Sequence, residues 1–302
     1  PCRDFDLTAR ERVFATTLFN SGANVGALVA PATIPFIAAA WGWQSAFIAA
    51  GVLGFIWVIF WLRMPKNPRV KLAEESAALA QAEKEEARAS IPWRKLLAYR
   101  QSWSLILVRF LTDPIWWFFL FWLPDFFSKH FGYNIKESAL PLIVIYALVT
   151  VLSILGGTLT KFLANRGWSL NKVRKISMLV FACCVVPVIF VQYFDMWTIV
   201  AVLGLAGGAH QAWSASVYTL GSDMFPKSDV ASITGLSGMA GQIGSVLFQT
   251  AVGFTLSWFA AQGNASHGYD IIFMVCGSAY LAAFVIFSLI IPNINMVAPR
   301  ER

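Results

Sequence analysis

Long apolar stretches dominate this sequence and constrain its fold more than any other feature. A helix needs about 20 consecutive apolar residues to cross the hydrocarbon core of a bilayer. Eight stretches meet that requirement, near 14–39, 43–62, 102–124, 138–162, 175–194, 197–221, 230–260 and 270–291. Only 13% of the residues are charged, about half the share in a typical soluble domain. The sequence therefore predicts an all-α integral membrane protein with about eight transmembrane helices in a lipid bilayer.

The distribution of basic residues predicts the orientation of these helices. Of the 23 lysines and arginines, all but three lie in the leading segment, in alternate connectors or in the tail. The intervening connectors hold only Lys129 and Lys136, and Arg109 lies inside a span. Because cytoplasmic loops of membrane proteins retain basic residues, we expect a multi-pass protein of the cytoplasmic (inner) membrane with both termini of this chain in the cytoplasm. The excess positive charge is a topology signal, and we expect no nucleic-acid partner.

A weak internal repeat indicates how the helices are grouped. When the sequence is shifted by 218 residues, Asn24 falls on Gln242 and Gly26 falls on Gly244. In both copies a charged turn leads into a helix rich in small residues, which allow close helix approach. The first two spans then correspond to the last two helices of a six-helix half, and the next six form a complete second half. Such repeated halves are a transporter architecture, and we expect this chain to be truncated at its N-terminus.

These observations divide the chain into four parts. The polar segment between the second and third spans is rich in helix formers and alternating charge, which is typical of an exposed linker helix. The predicted parts are the end of the N-terminal half (1–63), a cytoplasmic central loop (64–100), the C-terminal six-helix half (101–292) and a cytoplasmic tail (293–302).

The third span carries two charges inside an apolar run. Arg109 and Asp113 lie four residues apart, although a charge at membrane depth costs about 2.5–3.5 kcal/mol and usually marks a transport path. The planar fork of Arg109 suits a substrate carboxylate, whereas a structural pair with Asp113 is the alternative. Asp113 is a candidate for proton coupling or gating. Trp117, two helical turns beyond Arg109, is a candidate platform for the apolar face of a sugar.

The sixth span offers a second polar group of candidate substrate-binding residues. His210, Ser214 and Tyr218 recur at intervals of four residues, so they share one face of a helix. Gln211 and Trp213 lie beside them. Gln, Ser and Tyr supply both donors and acceptors for sugar hydroxyls. Hydrogen bonding between helices is the alternative interpretation.

Three further residues complete the predicted site. Asn24 and Gln242 occupy equivalent places in the repeat, and a pair of amides facing one cavity suits a polyhydroxylated substrate. Asp223, close to Pro226, is a candidate gate or packing contact. The four cysteines show no metal-ligand spacing, and no nucleophile–base constellation is evident. We therefore predict no catalytic site, metal or cofactor, and no enzymatic activity.

Several motifs resemble those of the major facilitator superfamily. Residues 156–167 resemble its glycine–basic motif, although Asn165 stands where that motif has an acidic residue before Arg166. Within the superfamily, the chain resembles the hexuronate transporters of the anion:cation symporter family. The stretches that carry this second resemblance are 109–124, 209–214, 222–226 and 235–241. The resemblance implies a partial major facilitator fold, made of the last two helices of the first half and a complete six-helix second half.

The resemblance also implies a function. A monosaccharide carboxylate such as galacturonate or glucuronate would bind between the two halves of a protein that is monomeric when full length. A proton, taken up on carboxylates of the first half, would move with the substrate as the halves rock. Another organic anion, such as an aldonate or an aromatic carboxylate, is an alternative substrate. A transporter-derived sensor that signals through the charged loop is an alternative of another class.

Overall fold

A computed structural model describes residues 40–63 and 93–297, together with some positions between 26 and 38. Within these residues every regular element is helical. The long helices are α1 Trp43–Arg63, α2 Arg100–Phe131, α3 Ile135–Asn165, α4 Leu170–Val185, α5 Met196–Met224, α6 Lys227–Ala261 and α7 Ala265–Ile290. A single helical turn, Trp93–Leu96, precedes α2, and a 3-10 segment, Val186–Tyr193, continues α4. The predicted span 14–39 lies mostly outside the described residues, and the positions of it that are described are helical.

The prediction of a helical membrane protein is confirmed. Six helical stretches among the described residues are long and apolar enough to cross a membrane. They correspond to α1, α2, α3, α4 with its 3-10 extension, α6 and α7. The helix α5 is not among them, because polar residues such as His210 and Gln211 interrupt its apolar run. Most of one side of α5 is instead buried against the neighbouring helices, chiefly α3 and α4.

Two predicted spans differ from the observed helices at prolines. The predicted span 102–124 ends at Pro124, yet α2 continues through Pro114 and Pro124 to Phe131. Each proline removes one helical hydrogen bond, but in a bilayer a continued helix still satisfies the rest of the backbone. In the predicted span 175–194, α-helical geometry stops at Val185 and tightens into the 3-10 segment, in which Pro187 is the second residue.

Among α2 to α7 the most extensive contacts are between α2 and α6 and between α3 and α5, and the two helices of each pair run parallel. The α3–α5 contact depends on glycines. A Cβ atom at Gly204, Gly207 or Gly208 of α5 would collide with side chains of α3. The colliding side chains are Leu148, Val149 and Leu152. Small residues of this kind let helix backbones approach closely where lipid offers no hydrophobic driving force.

Hydrogen bonds also join α2 to α6. The Trp122 indole N–H donates to Gln249 Oε1 at 2.6 Å, and Gln249 Nε2 donates to the Pro114 carbonyl at 3.3 Å. A Cβ at Gly244 would collide with the carbonyl of Phe110, which Pro114 leaves without its helical donor. The two helices therefore approach most closely around the charged part of α2.

The segment 291–297 folds back against one end of the bundle, which we call the Arg174 end. Lys175 Nζ donates to the Pro292 carbonyl at 2.7 Å, and the Val297 backbone N–H donates to the Met224 carbonyl at 2.8 Å. Three of its side chains are buried, namely Ile291, Ile294 and Val297. This segment therefore packs as part of the helical domain.

The opposite end of the bundle, which we call the Asp125 end, is joined by side chains of α2, α7 and the 3-10 segment. The Tyr269 hydroxyl donates to Asp125 at 2.5 Å, and Lys129 lies 2.9 Å from the same carboxylate. Gln192 and Ser266 exchange hydrogen bonds at 3.0 and 3.1 Å. Both ends of the bundle are thus held together by polar contacts that flank the apolar middle.

Candidate functional site

A polar cavity of about 150 Å³ lies between α2 and α5. Its lining comes from four residues of each helix, and all four on α5 belong to the predicted polar group. The lining residues are Arg109, Asp113, Trp116, Trp117, His210, Gln211, Ser214 and Tyr218. Because helical residues four apart lie on one face, the stripe of His210, Ser214 and Tyr218 faces the cavity as a unit. The structure therefore brings together the charged pair on α2 and the polar stripe on α5, which sequence analysis singled out separately.

Arg109 is the principal cation of the cavity. The residue is only 5% exposed, and its guanidinium carbon lies 4.0 Å from the centroid of the Tyr218 ring. Its Nε lies 3.9 Å from Asp113 Oδ2, which is close enough for an ion pair but too long for a hydrogen bond. Within the described part of the chain, no acceptor lies at hydrogen-bonding distance of the guanidinium. Arg109 is thus buried, charged and short of acceptors, although buried polar groups are normally hydrogen-bonded.

Glycines of α6 support the Arg109–Asp113 pair from behind. A Cβ at Gly238 would lie 3.1 Å from Arg109 Nη1, and one at Gly241 would collide with the Asp113 carboxylate. The absence of side chains at these two positions lets α6 pack directly on the charged turn of α2. The small-residue character of α6 that the sequence shows therefore has a specific role in placing the pair.

His210 lies between two aromatic residues. Its ring stacks on Trp116, with centroids 5.3 Å apart and an interplanar angle of 5°. Its Nδ1 lies 2.5 Å from the Tyr280 hydroxyl, which in turn lies 3.3 Å from the Thr112 carbonyl oxygen. Tyr280 is fully buried. The imidazole is therefore held in position by α2 on one side and by α7 on the other.

Sequence analysis did not assign Trp116 or Tyr280 to the site. Trp116 is adjacent to Trp117, and the 100° turn per residue brings both to the cavity. Tyr280 sits in the apolar run of α7, and a buried phenol needs a hydrogen-bond partner. That need is a usable signal for a polar contact, but the sequence alone does not reveal that the partner is His210.

The structure places the remaining predicted site residues as follows. Trp117 lines the cavity and stacks on Phe121, with ring centroids 5.5 Å apart. Trp213 is 1% exposed and packs edge-on against Tyr280, outside the cavity lining, and its indole Nε1 has no partner in the described residues. Trp213 therefore packs behind the cavity wall.

Two further predicted residues lie outside the cavity lining, and a third lies outside the described residues. Asn24 lies outside the described residues. Gln242 is exposed on α6 and is not among the described residues that line the cavity. Asp223 accepts a hydrogen bond from Arg174 Nε at 2.8 Å. This pair joins α4 to α5 at the Arg174 end, and the role of Asp223 as a gate or packing contact stays a prediction.

The comparison with family sequences decides the identity of the fold. A sequence model of the Major Facilitator Superfamily matches residues 5–249 of the chain. The chain belongs to the major facilitator superfamily. A solved structure of a bacterial homolog to the human lysosomal transporter Spinster, inward-facing and unoccupied, shares this fold with a TM-score of 0.52 at 16% sequence identity. The match covers 93% of this chain and 70% of that chain.

Relatives within the superfamily agree with the resemblance to hexuronate transporters. The chain is 33% identical over 255 residues to the hexuronate transporter of Escherichia coli strain K12. This match covers 81% of this chain and 59% of that transporter. It is 36% identical over 140 residues to the galacturonate transporter of Dickeya chrysanthemi, covering 44% of this chain and 40% of that protein. The chain thus spans less than two thirds of the length of either relative. As a major facilitator it is a multi-pass membrane protein, and its similarity to hexuronate transporters is confirmed.

Proposed function

We propose that this major facilitator is a secondary active transporter that imports a hexuronate, such as galacturonate or glucuronate, together with protons by alternating access. The observation that carries the proposal is Arg109, which is buried, charged and without a hydrogen-bond acceptor among the described residues. A carboxylate is the ligand that best completes a guanidinium, because its two oxygens match the planar fork of donors. The names of the relatives support an acidic sugar.

The rest of the cavity suits the hydroxyl groups and the apolar face of a sugar. Gln211 and Ser214 line it with both donors and acceptors. The indole of Trp117 offers a flat apolar surface for the C–H face of a pyranose ring. The lining is therefore mixed in chemistry, with one cation for the acid and several neutral groups for the hydroxyls. The volume of about 150 Å³ lies below the range of about 300–1,000 Å³ for sites of drug-sized ligands, so we propose a substrate the size of a monosaccharide.

Asp113 links substrate binding to protons in this proposal. Its carboxylate faces Arg109 at 3.9 Å, so a substrate carboxylate on the same guanidinium would leave one negative charge unbalanced. A proton on Asp113, or on carboxylates of the first half, would restore the balance. Asp223, which is paired with Arg174, would then act as a contact that opens and closes with the Arg174 end of the helices.

The proposed working form is a full-length monomer in the cytoplasmic membrane, with both termini of this chain in the cytoplasm. The first half would supply the opposite wall of the cavity, including the amide at Asn24. We therefore expect this chain by itself to be inactive in uptake. Saturable uronate uptake by the 302-residue chain alone would contradict this division of the site.

Substitution of Arg109 by lysine tests the carboxylate role. Lysine keeps the charge but loses the two-pronged geometry, and a charge-assisted hydrogen bond contributes about 1.5–3 kcal/mol. We expect the KM for labelled galacturonate to rise about 10- to 100-fold in proteoliposomes of the complete gene product. The matched control is Arg100→Lys, at the exposed start of the same helix, which should leave uptake unchanged. An Arg109→Lys variant with an unaltered KM would refute the role of Arg109.

The aromatic walls of the cavity favour one alternative substrate class. Trp116 and Trp117 both line the cavity, and two indoles also suit the ring of an aromatic carboxylate. Competition of labelled galacturonate uptake by uronates, aldonates and aromatic acids separates the two proposals. Stronger inhibition by an aromatic acid than by unlabelled galacturonate would favour the alternative.

A further inference from the structure

The contact between His210 and Tyr280 links the cavity to a buried hydroxyl on α7. His210 Nδ1 and the Tyr280 oxygen are 2.5 Å apart, and the same oxygen is 3.3 Å from the Thr112 carbonyl oxygen. Across the described residues, Tyr280 is the one hydrogen-bond partner of the imidazole. Since Nδ1 is turned to Tyr280, Nε2 is the ring nitrogen that remains for the cavity.

The hydrogen inventory of these three groups decides how the contacts are made. A carbonyl oxygen can only accept, and a phenol carries a single hydrogen. If Tyr280 donates to Thr112, its oxygen is free to accept from an Nδ1–H group of His210, and both contacts are hydrogen bonds. If Tyr280 donates to His210 instead, the contact with Thr112 brings two acceptors together and no bond forms. The first arrangement satisfies both contacts, and the hydrogen bond made by one ring nitrogen sets the role of the other.

We infer that Tyr280 is a positioning residue that holds neutral His210 in its Nδ1–H form, so that Nε2 offers the cavity a hydrogen-bond acceptor for a substrate hydroxyl. The inference rests on the proposed function for the identity of the substrate, but not for the state of the imidazole. The stacked Trp116 ring at 5.3 Å restricts rotation of the imidazole. The full burial of Tyr280, against which Trp213 packs at 5.4 Å, keeps its hydroxyl from exchanging partners with bulk water.

This arrangement would give the cavity two ends of opposite hydrogen-bonding character. Arg109 can only donate, whereas His210 Nε2 in the Nδ1–H form can only accept. A carboxylate therefore fits at Arg109 and is rejected at His210, while a hydroxyl fits at His210. The pair sets the direction in which an acidic sugar lies in the site and makes one of its hydroxyl groups a requirement for tight binding.

Nitrogen-15 NMR of histidine-labelled protein tests the inference without any transport measurement. The two neutral forms of imidazole give distinct ring-nitrogen signals, and a spectrum of the His210→Gln variant identifies the signals of His210. We expect the Nδ1–H form in the complete gene product, and a mixture of both forms in Tyr280→Phe. A dominant Nε2–H form in the unsubstituted protein would overturn the inference, whatever the substrate.

Uptake selectivity supplies the second readout. Among monodeoxy galacturonates, we expect one to be transported with a KM at least about fivefold higher than galacturonate, which is the loss of roughly one hydrogen bond. In Tyr280→Phe this preference should vanish while the maximal rate is kept, and Tyr193→Phe, an exposed position, should retain it. A Tyr280→Phe variant with the preference intact would refute the positioning role. If no uronate is transported at all, the proposed function fails, and the NMR result still decides the state of His210.

Discussion

Replacing Gly241 by alanine is expected to push α2 away from α6 at the charged turn. A Cβ at this position would collide with the Asp113 carboxylate, and it would lie 3.0 Å from Asp113 Cγ and 3.2 Å from Asp113 Cβ. Because the contact extends to Cβ, rotation of the side chain alone does not remove it, and the backbone of α2 has to shift. The Arg109–Asp113 pair would move with it.

The expected change in stability follows from two opposing effects. Overpacking a well-packed contact costs about 1–3 kcal/mol, whereas glycine to alanine inside a helix contributes about 1 kcal/mol of stability. Gly235 lies on the same helix with no atom within 4 Å of its virtual Cβ, so Gly235→Ala receives the favourable effect alone. The free energy of unfolding of the two variants should then differ by about 1–3 kcal/mol, or roughly 2–12 °C in Tm.

Thermal unfolding of the purified proteins, followed by tryptophan fluorescence in detergent, measures this difference. The same pair of variants made in an Asp113→Ala background provides the control, because the colliding carboxylate is then absent. We expect the difference between Gly241→Ala and Gly235→Ala to shrink in that background, where only the contact with the Cβ of residue 113 at 3.2 Å remains. If Gly241→Ala stabilises the unsubstituted protein as much as Gly235→Ala does, then α6 does not pack on Asp113 as described.

The two ends of the bundle carry further predictions. Arg174→Ala should destabilise the protein by about 1.5–3 kcal/mol, because it removes a charge-assisted hydrogen bond from the half-buried Asp223. The charge-swapped double variant R174D/D223R should recover part of this loss in the same unfolding assay. Asp195 accepts a hydrogen bond from the Thr198 hydroxyl and caps α5 through the Thr198 and Trp197 backbone N–H groups, and these bonds lower the pKa of the carboxyl. A folded-state pKa below the unfolded value of about 3.9 means that the contribution is present above that pH and is lost as the pH falls through the folded pKa. Tm measured against pH should therefore show a loss of stability in acid that is smaller in Asp195→Asn, and identical profiles would contradict the cap.

Much of the cavity could be predicted from local spacing alone. His210, Ser214 and Tyr218 share a face in any regular helix, as do Arg109 and Asp113, because residues four apart are one turn apart. Local spacing also accounts for Trp213, the predicted residue of α5 that does not line the cavity. At 100° per residue, Gln211 turns to one side of His210 and Trp213 to the other, where it meets Tyr280 on α7. The sequence did not indicate which side faces the cavity.

The contacts that sequence analysis missed all join distant parts of the chain. The Tyr280–His210 bond connects two helices whose relative rotation depends on packing, and no periodicity within either helix encodes it. The continuation of α2 through Pro124 has a different cause. Local rules end a helix at proline, whereas the need to satisfy backbone groups in an apolar medium favours continuation. Where those two effects compete, sequence patterns predict the span but not its end.

The segment 291–297 has a consequence for the order in which the protein is made. The Met224 carbonyl at the end of α5 accepts its hydrogen bond from the N–H of Val297, which is synthesised about 70 residues later. At 5–20 residues per second, that stretch takes roughly 4–15 s to synthesise. During that interval α5 has been made, but its terminal carbonyl and the Lys175 ammonium still lack the partners that α7 and the following segment bring. Quality-control proteases and insertion factors would therefore meet an open Arg174 end until translation has passed Val297.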